Sequence, residues 1–216
     1  MSHYFDGKVR EVEKPDWRRT VPEKRDQRHG SWMATASGRQ FWPLDPRPEE
    51  VNILDIAHAL ARLCRFGGHV ACLHYSVAQH SVLVSEIVEQ DLAASRLAFA
   101  GLLHDAAEAY VQDIVQPVKR ALRDYAAVEA SVARAIGAAF GVDPAAFEHE
   151  LVKHADLIAC STEKRDVMSR SSSQLWPDLE AVEPRAAVIE PWPTLLAEAR
   201  FLERFTVLSR ARRSGP

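Results

Sequence analysis

His104 and Asp105 stand side by side in the run SRLAFAGLLHDAAEAYVQD. Leu97 to Leu103, just before them, carry no polar side chain. A helix apolar on every side is a buried helix. The His–Asp pair is therefore expected in the interior, with Glu108 one turn further on. Buried ionisable groups are costly unless something neutralises them, and a divalent cation would do so. His80 in HYSVAQHS, upstream, and Asp156 in VKHADLIA, downstream, complete a set of two imidazoles and two carboxylates. Mixed nitrogen and oxygen donors suit a borderline transition metal, so one divalent Co, Mn, Zn, Ni or Fe ion is the expected cofactor.

Helical periodicity has to bring these residues together. At about 100° per residue, His80 shares a stripe with Val77, Val84 and Ile87. His104 shares one with Leu97, Gly101 and Glu108, and Asp156 one with Val152, Ala155 and Ala159. A single inward histidine is more often a hydrogen-bonded core residue than a ligand. Several ionisable residues turned inward from three helices would each need a separate partner, and a shared ion satisfies them together. The pattern is helical from Asn52. Ile53, Ile56, Ala57, Leu60 and Leu63 line one face, with Gly67-Gly68 as its stop. Ser76 to Gln79 reads as a capping box opening a second helix. Residues 93–110 form the third, 121–140 the fourth (closed by Gly141), 148–169 the fifth and 194–207 the last. Pro177, Pro184, Pro191 and Pro193 break the stretch between the last two.

The expected fold is all-α, a helical bundle over 51–207. Residues 1–50 differ, being rich in charge, Pro and Gly. Residues 1–30 read as an extended or loosely packed arm. Ser31–Ala36 and Arg39–Leu44, flanking Ser37-Gly38, read as a short hairpin. Residues 208–216, with the basic SRARRS, read as a solvated tail.

The chain has 216 residues, 47% hydrophobic and 26% charged, which is ordinary for one soluble domain rather than a disordered chain. A net charge of −3 gives no reason to expect a nucleic acid polymer or an acidic membrane as partner. No stretch approaches the roughly 18 apolar residues of a membrane span, and the first residues lack the apolar run of a signal peptide. Cys64, Cys72 and Cys160 form no CxxC pair, as suits a reducing cytoplasm. HELVKH is one residue too long for the zinc-protease HExxH. At i,i+5, His149 and His154 would lie about 140° apart on a helix. His3, His29, His58, His69 and His74 have no metal-like spacing, and neither a GxxxxGK phosphate loop nor a GxSxG elbow occurs.

The ordered set His80, His104-Asp105, Asp156 resembles the HD-domain metal-dependent phosphohydrolases. The likeness covers roughly residues 52–170. It extends through RFGGH, YSVAQHS, LLHDAAEAYVQDIVQPVK and LVKHADLIA, strings similar to those of bacterial 5′-deoxynucleotidases and phage dATP triphosphohydrolases. The resemblance implies that His80, His104, Asp105 and Asp156 hold one ion, with positions left for water and a phosphate oxygen. It implies that Glu108 orients or deprotonates that water and that Asp113 protonates the leaving oxygen. Arg65, Lys119 and Lys153 would clamp the phosphate, with Lys153 beside the metal, and Phe66 would stack on a base or serve the core. The implied substrate is a nucleotide, with deoxynucleoside 5′-monophosphates ahead of deoxynucleoside triphosphates. A non-catalytic nucleotide-binding protein is the other reading. Glu108 and Asp113 favour the enzyme, because a sensor needs no proton-transfer groups. Cyclic-nucleotide phosphodiesterases with two metals need further His ligands that the chain does not offer. Homo-oligomers are expected from that branch, and the apolar run PWPTLLAEARFLERF offers a surface for them.

Overall fold

A computed structural model describes residues 28–169 and 176–214; residues 1–27, most of the expected arm, lie outside them. The described residues are helical apart from one small hairpin. In it β1 (Met33–Ala34) pairs antiparallel with β2 (Gln40–Phe41), Met33 opposite Phe41. The strands are shorter than expected. The hairpin is tied down by the first helix, where Asp55 accepts hydrogen bonds from the Ser37 backbone N–H (2.6 Å) and hydroxyl (2.8 Å). Phe41 is fully buried and stacks on Tyr110 with ring centroids 3.8 Å apart. Arg28, expected in the arm, pairs with Asp45 at 2.6 Å and Glu50 at 2.5 Å.

Helix α1 (Ile53–Arg62) starts where the Asn52 side chain accepts from the Leu54 N–H, and it buries Ile56, Ala57 and Leu60. It stops at Leu63, four residues before the glycines expected to end it. The cause is a strand-like pairing. The Arg65 N–H donates to Tyr75 O (2.9 Å) and the Val77 N–H to Leu63 O (3.1 Å). Gly67 and Gly68 serve instead the left-handed loop that follows, which Phe66 shares with φ of 56°. That non-glycine φ is strained and is the kind of feature that collects at binding sites.

Helix α2 (Val77–Glu86) is central, packing on α1 and on three helices introduced below. Ser76 caps it by accepting from the Gln79 N–H. The reciprocal half of the expected capping box is absent, because the Gln79 amide bonds to the Glu190 carbonyl and Trp192 N–H instead. The expected helix over 93–110 is two pieces, α3 (Ala98–Leu103) and α4 (Glu108–Val111). Between them the hydrogen bonds tighten to a spacing of three, from Ala106 N–H to Leu103 O and from Glu108 N–H to Asp105 O, both 3.0 Å. Such tightening inside a helix commonly marks a functional position. Every α3 residue is buried, as the apolar run requires.

The short α5 (Gln116–Lys119) follows, then α6 (Tyr125–Phe140), closed by Gly141 in the left-handed region. Helix α7 (Glu150–Asp166) presents Val152, Ala155, Ala159, Thr162 and Glu163 to the interior. The proline-rich stretch forms a strap before α8 (Thr194–Ser214). Helix α8 continues to Ser214, into the residues expected as a tail, and Arg212 donates to the Phe140 and Gly141 carbonyls at the end of α6. Helices α3, α7 and α8 are the other neighbours of α2. Among the described residues no helix is long and apolar enough to cross a membrane.

Candidate functional site

Three segments meet at the predicted ligands. His80, on α2, is fully buried. Its Nδ1–H donates to Glu163 Oε1 at 2.6 Å. That leaves Nε2 at 3.1 Å from Asp156 Oδ1 and 3.5 Å from Asp105 Oδ2, without a hydrogen bond. His104 follows α3 and donates Nδ1–H to the Gly101 carbonyl at 2.8 Å. Its Nε2 has no hydrogen bond either and lies 3.2 Å from Asp105 Oδ2. Both rings therefore turn Nε2 toward Asp105, and His80 turns it toward Asp156 as well.

The ligand atoms of His80, His104 and Asp105 lie within 4.8 Å of one another and could hold a metal ion. Metal–donor bonds of about 2.1 Å place neighbouring donors about 3.0–3.4 Å apart for octahedral to tetrahedral angles. The separations of 3.1 and 3.2 Å fall in that range, and the 3.5 Å between His80 and Asp105 lies just above it. Side-chain exposure rises from 0% at His80 to 10% at His104, 21% at Asp105 and 41% at Asp156, so the cluster opens to solvent on the aspartate side.

Behind His80 stands Glu163, which sequence reasoning missed. Oε1 also accepts from the Tyr75 hydroxyl (3.0 Å), and Oε2 accepts from Arg65 Nη2 (3.1 Å). The signal was present: Glu163 continues the Val152, Asp156, Ala159 stripe by one more turn. Burial opposes its charge, but Arg65 and His80 outweigh burial and hold its carboxyl below the usual range. Burial and Arg65 likewise oppose protonation of His80, yet Glu163 and Asp156 raise its pKa to about 9. Asp105 stays ionised against burial because His104, His80 and Arg65 surround it.

Glu108 sits three residues beyond Asp105 in the tightened turn, so it lines up with Asp105 rather than with His104 as expected. Burial, then the Asp105 and Asp113 charges, push its pKa well above the usual carboxyl range. Burial also raises Asp113. Glu108 Oε2 and Asp113 Oδ2 are buried without hydrogen-bond partners. Arg65 lies 3.8 Å from Asp105 through Nη1, and its buried Nε has no partner. Lys119 pairs with Glu129 at 2.6 Å and feels the charges of Glu108 and Asp105. Phe66 is half-buried under the Arg65 guanidinium and meets Trp176 edge-on at 5.9 Å.

Lys153 is not brought to the cluster. It pairs with Glu148 at 2.8 Å, and 60% of its side chain is exposed. Helical side chains lean toward the N-terminus, which takes Lys153 away from Asp156 one turn later. His149 caps α7 by accepting from the Leu151 N–H, and His154 is exposed, so the two share no site. A cleft of about 230 Å³ between α2 and the strap is lined by Tyr75, Leu83, Val188 and Trp192 among others. None of the predicted site residues lines it, and it meets the polar network only at Tyr75.

No protein-family model matches the chain. It is 39% identical over 185 residues to the uncharacterized protein YfdR of Escherichia coli (strain K12), covering 85% of this chain and 98% of that protein. It is 32% identical over 193 residues to an uncharacterized protein of Rhodobacter capsulatus, covering 84% of this chain and 97% of that protein.

Proposed function

The chain belongs to the family of the Escherichia coli protein YfdR, and we propose that it is a metal-dependent phosphohydrolase of nucleotides, acting on deoxynucleoside 5′-monophosphates. The observation that carries this reading is the convergence of two buried imidazole Nε2 atoms, neither with a hydrogen-bond partner, on Asp105, with Asp156 beside that of His80. The carboxyls of Glu108 and Asp113 lie close enough to Asp105 to be shifted by its charge. The resemblance to HD-domain phosphohydrolases supplies the chemistry such a set performs.

An ion held by His80, His104, Asp105 and Asp156 would supply Lewis acidity and an acidified water. The protein's own groups do the rest. Arg65 and Lys119 bind and orient the phosphate as its charge grows. Glu108, whose pKa is raised by burial and by its two carboxylate neighbours, is placed to take the proton that the attacking water gives up. Asp113 delivers a proton to the departing sugar oxygen. With Lys153 turned to solvent, the clamp has two bases, and Glu163 and Glu129 partly neutralise both. That modest positive charge matches a monophosphate, with about two negative charges, better than a triphosphate with about four.

The test is a product screen over all nucleotides with Mn²⁺, Co²⁺, Zn²⁺ and Mg²⁺. Free phosphate plus nucleoside is expected. Intact triphosphate plus nucleoside would move the substrate to deoxynucleoside triphosphates. Nucleotide bound but never cleaved would make the protein a sensor.

A further inference from the structure

We propose that Glu163 is a positioning residue that couples the metal half of the site to its phosphate half, an inference that rests on the phosphohydrolase reading above. Its carboxylate is fully buried and divided between two tasks. Oε1 receives His80 Nδ1–H at 2.6 Å and the Tyr75 hydroxyl at 3.0 Å. Oε2 receives Arg65 Nη2–H at 3.1 Å. One oxygen thus sets the tautomer and orientation of a ring whose Nε2 faces the other ligands. The other oxygen grips one side of a guanidinium whose Nε is left buried and unpaired, available to an anion.

The fold explains how one side chain reaches both. Helix α7 supplies Asp156 and, two turns later, Glu163. The pairing of 63–65 with 75–77 delivers Arg65 and Tyr75 to the same point. A carboxylate behind a ligating histidine commonly contributes 10–100-fold in metal affinity or activity. A planar guanidinium loses its fixed fork when the group that orients it goes. Release of Glu163 therefore loosens the ring and the guanidinium together.

The experiment uses full-length, metal-stripped protein. Calorimetry measures Mn²⁺ binding, then inorganic phosphate binding at saturating Mn²⁺. Glu163→Gln leaves one oxygen for three donors and turns its NH₂ toward another donor. It is expected to weaken Mn²⁺ binding about 10–100-fold and phosphate binding as well. Tyr75→Phe removes one donor to Glu163 while keeping the His80 and Arg65 bonds that carry the coupling, and is expected to leave both affinities near those of the parent. Glu163→Gln with parental affinities overturns the proposal. So does loss of Mn²⁺ binding with phosphate binding intact, or a Tyr75→Phe loss as large as that of Glu163→Gln, which would make the cluster a support of the fold. If Glu163→Gln does not fold, Glu163→Asp keeps the charge but is one methylene too short to reach both halves. The same two losses are expected there, and parental affinities overturn the proposal. A parent that binds neither Mn²⁺ nor phosphate overturns the functional reading and the coupling with it. A parent that binds both, matched by its Glu163 variants, overturns the coupling alone.

Discussion

His80 and His104 each commit Nδ1 to a protein oxygen and keep Nε2 for the shared space. Without metal, the folded protein holds His80 charged up to a pKa of about 9, against 6.5 for the free side chain. A raised folded pKa contributes stability that is full below the unfolded value and is lost as pH rises through the folded one. The metal-stripped protein is therefore expected to lose thermal stability between about pH 6.5 and 9 more steeply than His80→Ala does. Asp105, Asp156 and Glu163 have the opposite sign: their depressed pKa values contribute stability above the unfolded carboxyl range, lost as pH falls through the folded values. An ion must displace the His80 proton, so Mn²⁺ affinity is expected to rise across the same alkaline window. Calorimetry at several pH values checks this, and a flat profile would mean that His80 is not a ligand. Glu108 is a different kind of residue, since the proposed ligand set does not include it. Glu108→Ala is expected to retain metal and lose turnover about 10²–10⁴-fold. Hydrolysis at the parent rate would make Glu108 structural.

At the scale of elements, the sequence declared some features and hid others. The apolar run before His104 announced a buried α3, and stripe arithmetic buried His80 correctly, whereas Asp156 keeps 41% of its side chain exposed at the rim. Lys153, which the resemblance put beside the metal, ends elsewhere, because its position one turn before Asp156 does not fix where a long side chain ends. The tightened turn at 104–107 left no residue-level signature, being all Ala, His and Asp. Gly67-Gly68 were misread as a stop because the true stop is the pairing of Leu63 and Arg65 with Val77 and Tyr75, beyond those glycines. At α6, a Cβ on Gly137 would lie 2.6 Å from the Val142 carbonyl oxygen and 3.1 Å from Pro144 Cγ. Both belong to the turn that closes the helix. Gly137→Ala is expected to cost about 1–3 kcal/mol from crowding, more than the roughly 1 kcal/mol that alanine gains in a helix. A thermal melt at or above the parent's would show that the turn yields freely.

Among the described residues one hydrophobic core draws on α1, α2, α3, α6, α7 and α8. The run expected to drive association, PWPTLLAEARFLERF, buries Ala197 and Phe201 within the chain. Leu195 remains 75% exposed, and Leu196 and Val207 are also open to solvent. A homo-oligomer through that remaining face is expected. Light scattering showing only a 24.2 kDa particle at micromolar concentration would contradict it. The helical class and the hairpin were legible because composition and periodicity act locally. Glu163 was harder to see because its partners lie 83, 88 and 98 residues away in the chain. The proposed function depends on an ion that α2, the end of α3 and α7 would hold. Metal content of the purified protein and of His80→Ala, His104→Ala and Asp105→Ala measures that directly. One transition-metal ion per parent chain and none in each variant is the expected result; full occupancy in all three variants would contradict it.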